Sequence, residues 1–68
     1  MTTPIERYRA IAWAREFMAE LSVLPDVSTG IRRQAVVILR HFPEASDLDH
    51  ACFLMPHWIA APTELHTD

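Results

Sequence analysis

The chain has 68 residues, of which 50% are hydrophobic and 22% are charged, and its formal net charge is −3. A chain this short forms a single domain near the lower size limit for a hydrophobic core, and its composition is typical of a globular protein rather than a disordered one. All six basic residues are arginine, and the acidic balance disfavours general binding to a phosphate backbone. Because Gly30 is the single glycine, repeated tight hairpins are disfavoured, and we expect an all-α fold.

The first predicted helix begins with a capping box. Thr3 is the expected N-cap, Pro4 suits the first helical position, and Glu6 follows Thr3 by three residues. The pattern stops at Pro25, because the residue before a proline is pushed out of the α region. We therefore predict a helix over about residues 4 to 24. Its predicted core face consists of Ala10, Ile11, Trp13, Ala14, Phe17, Met18, Leu21 and Leu24.

The second predicted helix has Ser28 or Thr29 as its N-cap and runs to about His41, before Pro43. Its predicted core face consists of Ile31, Ala35, Ile38 and Leu39, extended by Phe42. Another face, called the valine–arginine face below, consists of Arg33, Val36, Val37 and Arg40. Since two β-branched residues stand beside two arginines there, we expect another surface to cover this face.

A short third helix is predicted to follow, with Ser46 as its N-cap and acidic residues in its first turn. Its apolar stripe consists of Leu48, Ala51, Cys52 and Met55, and Pro56 ends it. An apolar segment occupies residues 57–62, and we expect residues 63–68 to form a frayed tail. The predicted fold over residues 1–62 is one helical domain, either a small three-helix bundle or a helical hairpin plus a short third helix, with an irregular C-terminal tail.

Several short segments carry a resemblance to a known family. They are Met1-Thr2-Thr3-Pro4, Glu6-Arg7, Arg9-Ala10, Arg15-Glu16-Phe17, and Leu39-Arg40-His41-Phe42-Pro43 with Asp47 after it. In these residues the chain resembles a family of short uncharacterised proteobacterial proteins of unknown function, over about its first fifty residues. Tyrosine is usual in that family where this chain has Phe42, so any hydrogen bond of that hydroxyl is absent here. The resemblance implies a compact helical protein and no known activity.

Side chains that could bind a metal are frequent but poorly spaced for it. They are His41, His50, His57, His66, Cys52, Asp47 and Asp49. Zinc sites usually contain short pairs such as two cysteines or two histidines separated by two to four residues, and the chain has no such pair. We therefore predict no metal site and no cofactor, and keep a metal-stabilised helical protein as an alternative.

The sequence does not predict an enzyme. Glu16 and Glu20 stand one turn apart on the expected solvent face of the first helix, where nothing would desolvate either carboxylate. Cys52 lies in an apolar stripe, which is typical of an inert core thiol. No catalytic residues and no small-molecule substrate are predicted.

The cellular compartment is predicted from what the sequence does not contain. The first residues have no basic segment followed by an apolar run, and no segment approaches the ~20 apolar residues that span a bilayer. We therefore expect a cytoplasmic protein without membrane contact.

One alternative is a small helix-turn-helix-like DNA-binding regulator, because Arg32, Arg33, Gln34 and Arg40 would lie on the second helix. The acidic net charge, the long first helix and the absence of a second basic element count against it.

The favoured function rests on an excess of apolar residues. Val36, Val37, Phe53, Trp58 and Ile59 all lie outside the predicted core faces. Apolar side chains bordered by arginine are typical of interfaces, so we predict an interaction module that forms a homo-oligomer or binds a protein partner. The predicted interface consists of Arg33, Val36, Val37, Arg40, Phe53, Trp58 and Ile59. The alternative for Trp58 is that it folds back and closes the end of the core.

Overall fold

The structure is a computed structural model that describes residues 1–62, and the predicted frayed tail over residues 63–68 lies outside the described residues. Three helices follow one another, α1 over Pro4–Leu21, α2 over Thr29–Arg40 and α3 over Ala45–Leu54. Within residues 1–62 there is no strand, so the predicted all-α fold is confirmed.

The α1 helix begins as its sequence predicts and ends earlier. The Glu6 backbone N–H donates to Thr3 Oγ1 at 3.1 Å, and the Thr3 N–H donates to Glu6 Oε1 at 2.9 Å, which completes the capping box. The prediction that α1 extends to residue 24 was wrong. After Leu21, the backbone N–H groups of Val23 and Leu24 donate to carbonyls three residues back instead of four. The Ser22 hydroxyl donates to the Ala19 carbonyl at 2.7 Å. A serine that bonds to the backbone competes with helix continuation, and the chain turns away.

The α2 helix follows its predicted bounds, with Ser28 as N-cap, whose Oγ accepts from the Ile31 N–H at 3.1 Å, and with His41 as C-cap. The α3 helix begins two residues earlier than predicted. Its N-cap is Glu44 rather than Ser46, because the Asp47 carboxylate accepts from the Glu44 backbone N–H at 2.9 Å and fixes the helix start there.

The α1 and α2 helices form the main helix–helix contact among the described residues. They are joined by residues 22–28, a connection short enough to make them antiparallel neighbours. The fold is therefore better described as a helical hairpin plus a short third helix than as a closed three-helix bundle. Among residues 1–62, three apolar residues are buried, Ala35 on α2, Leu48 on α3 and Ile59 after α3.

Arginine side chains hold the connections to this hairpin. Arg32 Nη1 donates to the carbonyls of Leu24, at 2.9 Å, and Val27, both in the α1–α2 connection. Arg15 Nη1 donates to the carbonyls of Phe42 and Pro43, at 3.3 and 3.4 Å, between α2 and α3. Each guanidinium thus donates to carbonyl groups that have no partner within a helix. Backbone carbonyls shielded from water need such hydrogen bonds.

Candidate functional site

The predicted interface residues Trp58 and Ile59 are neighbours in sequence with opposite environments. Ile59 is 1% exposed, so the prediction that it lies on an interface was wrong, and it belongs to the core of the chain itself. The segment is fixed to the start of α1, where the Ala60 N–H donates to the Pro4 carbonyl at 3.2 Å. Because that bond holds the chain against α1, the Ile59 side chain is enclosed.

Trp58 contacts the start of α1 and is half exposed. Arg7 Nη1 donates to the Trp58 carbonyl at 2.8 Å, and the Arg7 guanidinium carbon lies 5.1 Å from the centroid of the Trp58 ring, a cation–π distance. The side chain nevertheless remains 50% exposed. Trp58 therefore packs at the start of α1 and still presents half of its surface to the exterior.

The valine–arginine face of α2 is exposed throughout. Val36 is 41% and Val37 46% exposed, and Arg33 and Arg40 are also exposed. At about 100° per residue, the four side chains span about 100° of the helix circumference, so they share one face. The structure keeps these four predicted residues together on one side of α2.

The end of α3 presents a second apolar group. Phe53 is 82% and Leu54 61% exposed. Met55, which was predicted to join the α3 core stripe, is 47% exposed because the helix has already ended at Leu54. Of that stripe, Leu48 is buried and Ala51 and Cys52 are half-buried, which confirms its inner part.

Two large aromatic residues of α1 were assigned to the core and are exposed instead. Trp13 is 63% and Phe17 56% exposed. The half-buried side of α1 runs instead through Arg7, Ile11 and Met18. Sequence periodicity favoured the aromatic side because of its hydrophobicity, whereas the bonds of Arg7 and Arg15 to distant carbonyls turn their own side of α1 inward.

The α2 helix shows a smaller difference of the same kind. Ala35 is buried and Leu39 and Phe42 are half-buried, as predicted for its core face. Ile31 and Ile38, predicted for the same face, are 45% and 44% exposed. They lie on its edge, about 60 to 80° from the line through Ala35 and Leu39, and the chain covers them only in part.

Residues 1–62 were compared with what a metal site, a ligand pocket and a membrane-spanning helix each require. Among residues 1–62, no three His, Cys, Asp or Glu side chains converge on a point where a metal ion would fit, and His66 lies outside that range. The same residues enclose no pocket. None of the described helices has the length and apolar character needed to cross a membrane.

Comparisons of the chain with protein-family models, with curated proteins and with solved structures gave no match. The resemblance to a family of short proteobacterial proteins therefore stays a prediction.

Proposed function

We propose that this chain is a small helical interaction module, acting in the cytoplasm through protein–protein contacts, either by self-association or by docking on a larger protein. The observation that carries the proposal is the ratio of exposed to buried apolar residues. Within residues 1–62, twelve large apolar side chains are exposed and three apolar residues are buried. Scattered exposed apolar residues are ordinary, but this many on so small a chain are characteristic of binding surfaces.

The distribution of arginine supports protein contacts over DNA binding. At the start of α2, Arg33 and Gln34 are exposed, but the Arg32 guanidinium is bonded to carbonyls of the α1–α2 connection. Arg7 and Arg15 are also bonded to backbone carbonyls. A phosphate-binding surface needs several arginines that point outward, and half of those in this chain hold its own backbone.

Photo-crosslinking in cells that express the chain tests the proposal. A photoreactive phenylalanine analogue replaces Val37 or Phe53, both exposed and apolar, and replaces exposed Asp26 in the α1–α2 connection as the matched control. We expect either adducts of defined mass with another protein at Val37 or Phe53, and none at Asp26, or a purified chain that has the mass of more than one copy. Absence of adducts at both apolar positions, with a purified chain that has the mass of a single copy, would overturn the proposal.

A further inference from the structure

Within residues 1–62, the apolar side of α1 is covered only in part. On α1, Trp13 and Phe17 stand one turn apart and lie about 130° from the half-buried line through Ile11 and Met18. The chain exposes more than half of each aromatic side chain. The apolar arc of α1 therefore continues well past the part that the single chain buries.

On α2, exposed apolar residues are also rotated away from the buried line, in the same direction around the helix axis as on α1. Ile31 and Ile38 stand two turns apart, about 70° from the buried line through Ala35 and Leu39. When two antiparallel helices face each other, offsets of the same sense place side chains on the same side of the pair. Trp13, Phe17, Ile31 and Ile38 therefore lie on one side of the hairpin, called the open face below.

The connection to α3 occupies the other side. Arg15 is offset on α1 in the sense opposite to Trp13 and Phe17, and it donates to the carbonyls of Phe42 and Pro43. The chain continues from there into α3, whose Leu48 is buried. Within residues 1–62, α1 is thus covered on the side of Arg15 and exposed at Trp13 and Phe17, while α2 is exposed both at Ile31 and Ile38 and on its valine–arginine face.

The exposed area of the open face can be compared with the area that a dimer interface needs. An aromatic side chain has a surface of about 150–250 Å². The exposed fractions are 63% for Trp13, 56% for Phe17, 45% for Ile31 and 44% for Ile38, so the four side chains together expose on the order of 400 Å². A standard interface takes about 800 Å² from each partner, so these four side chains would supply about half of one. The bordering residues Ala10, Glu20 and Gln34 are exposed and would supply much of the remainder.

We infer that a second copy of this chain covers the open face, so that two hairpins form a four-helix dimer. This rests on the proposed function, of which it names the partner and the surface. A two-fold axis brings each open face onto an identical one, which matches apolar area with apolar area on both sides. A short antiparallel hairpin is half of a four-helix bundle, and chains of this size commonly complete their cores by oligomerisation.

Sedimentation velocity of the purified chain, from low to high micromolar concentration, tests the inference. We expect a species of twice 7.8 kDa to form as the concentration rises. Phe17→Glu, which places a charge on the open face, should weaken association by at least about tenfold. Phe53→Glu is the matched control, because it makes the same change at an exposed phenylalanine on α3, and it should leave association within about twofold of the unchanged chain.

Circular dichroism of both variants checks that they keep the helices of the unchanged chain. Ile31→Glu is the second variant of the open face. If Phe17→Glu does not fold, the association of Ile31→Glu is measured in its place and should be weakened likewise. An interface broken by Phe53→Glu and kept by both open-face variants would overturn the inference and leave the proposed function standing. A chain that stays monomeric at all concentrations but forms adducts with another protein would also overturn the inference and leave the proposed function standing. A chain that stays monomeric and forms no adduct would overturn both the inference and the proposed function.

Discussion

Three arginine side chains join segments of this chain that are separate in sequence. Arg7, Arg15 and Arg32 each donate to backbone carbonyls outside their own helix, in one case 51 residues away in sequence. Arginine suits this role because its planar group carries five donors and stays charged. Such contacts join distant segments, so the sequence could indicate which helix carries each arginine but not which carbonyl it reaches.

Arg32→Ala is expected to destabilise the chain by about 1–3 kcal/mol, because carbonyls of the α1–α2 connection lose a charged donor. Urea unfolding followed by circular dichroism measures the change. Arg33→Ala is the control, since Arg33 is the exposed neighbour, and it should cost less than about 0.5 kcal/mol. Equal effects of the two substitutions would contradict the structural role of Arg32.

Thr3→Ala should lower the free energy of unfolding by about 1 kcal/mol, because it removes the Oγ1 that accepts from the Glu6 N–H. The same unfolding experiment applies, with Thr2→Ala as the comparison one residue outside the cap. If the two variants unfold at the same urea concentration, the capping box does not stabilise α1.

The starts of α1 and α2 were more predictable than the helix faces, whereas α3 begins two residues before its predicted start. Thr3 and Ser28 cap α1 and α2 as expected, since capping is decided by residues three apart. The buried side of α1 was not predictable from periodicity, because Trp13 and Phe17 make the aromatic side the more apolar one. Which side turns inward depends on where residues 42–43 and 58–60 dock, and that information is not local.

The segment after α3 behaves as part of the core. Ile59→Ala should destabilise the chain by about 2–4 kcal/mol, because Ile59 is 1% exposed and its removal leaves a cavity. Val23→Ala is the control, since Val23 is 74% exposed, and it should change the free energy of unfolding by less than about 0.5 kcal/mol. A small effect of Ile59→Ala, measured by the same urea unfolding, would place the segment outside the folded unit.

Across the whole molecule, a small core and a large apolar exterior occur together. Ala35, Leu48 and Ile59 are the buried apolar residues of the described chain, and its one cysteine cannot form an internal disulfide. The sequence predicted the apolar excess and placed it on the valine–arginine face, Phe53 and the Trp58–Ile59 segment. It assigned Trp13, Phe17, Ile31 and Ile38 to the core, although they are exposed, because a helical pattern does not show which part of an apolar arc the rest of the chain covers.

Quenching of Trp13 fluorescence by acrylamide reads the open face directly. Trp58→Phe leaves Trp13 as the single tryptophan and keeps an aromatic ring beside Arg7. In the single chain Trp13 is 63% exposed, so it should be quenched readily at low micromolar concentration and become protected as the concentration rises. Quenching that stays high at every concentration would contradict a second copy on this face.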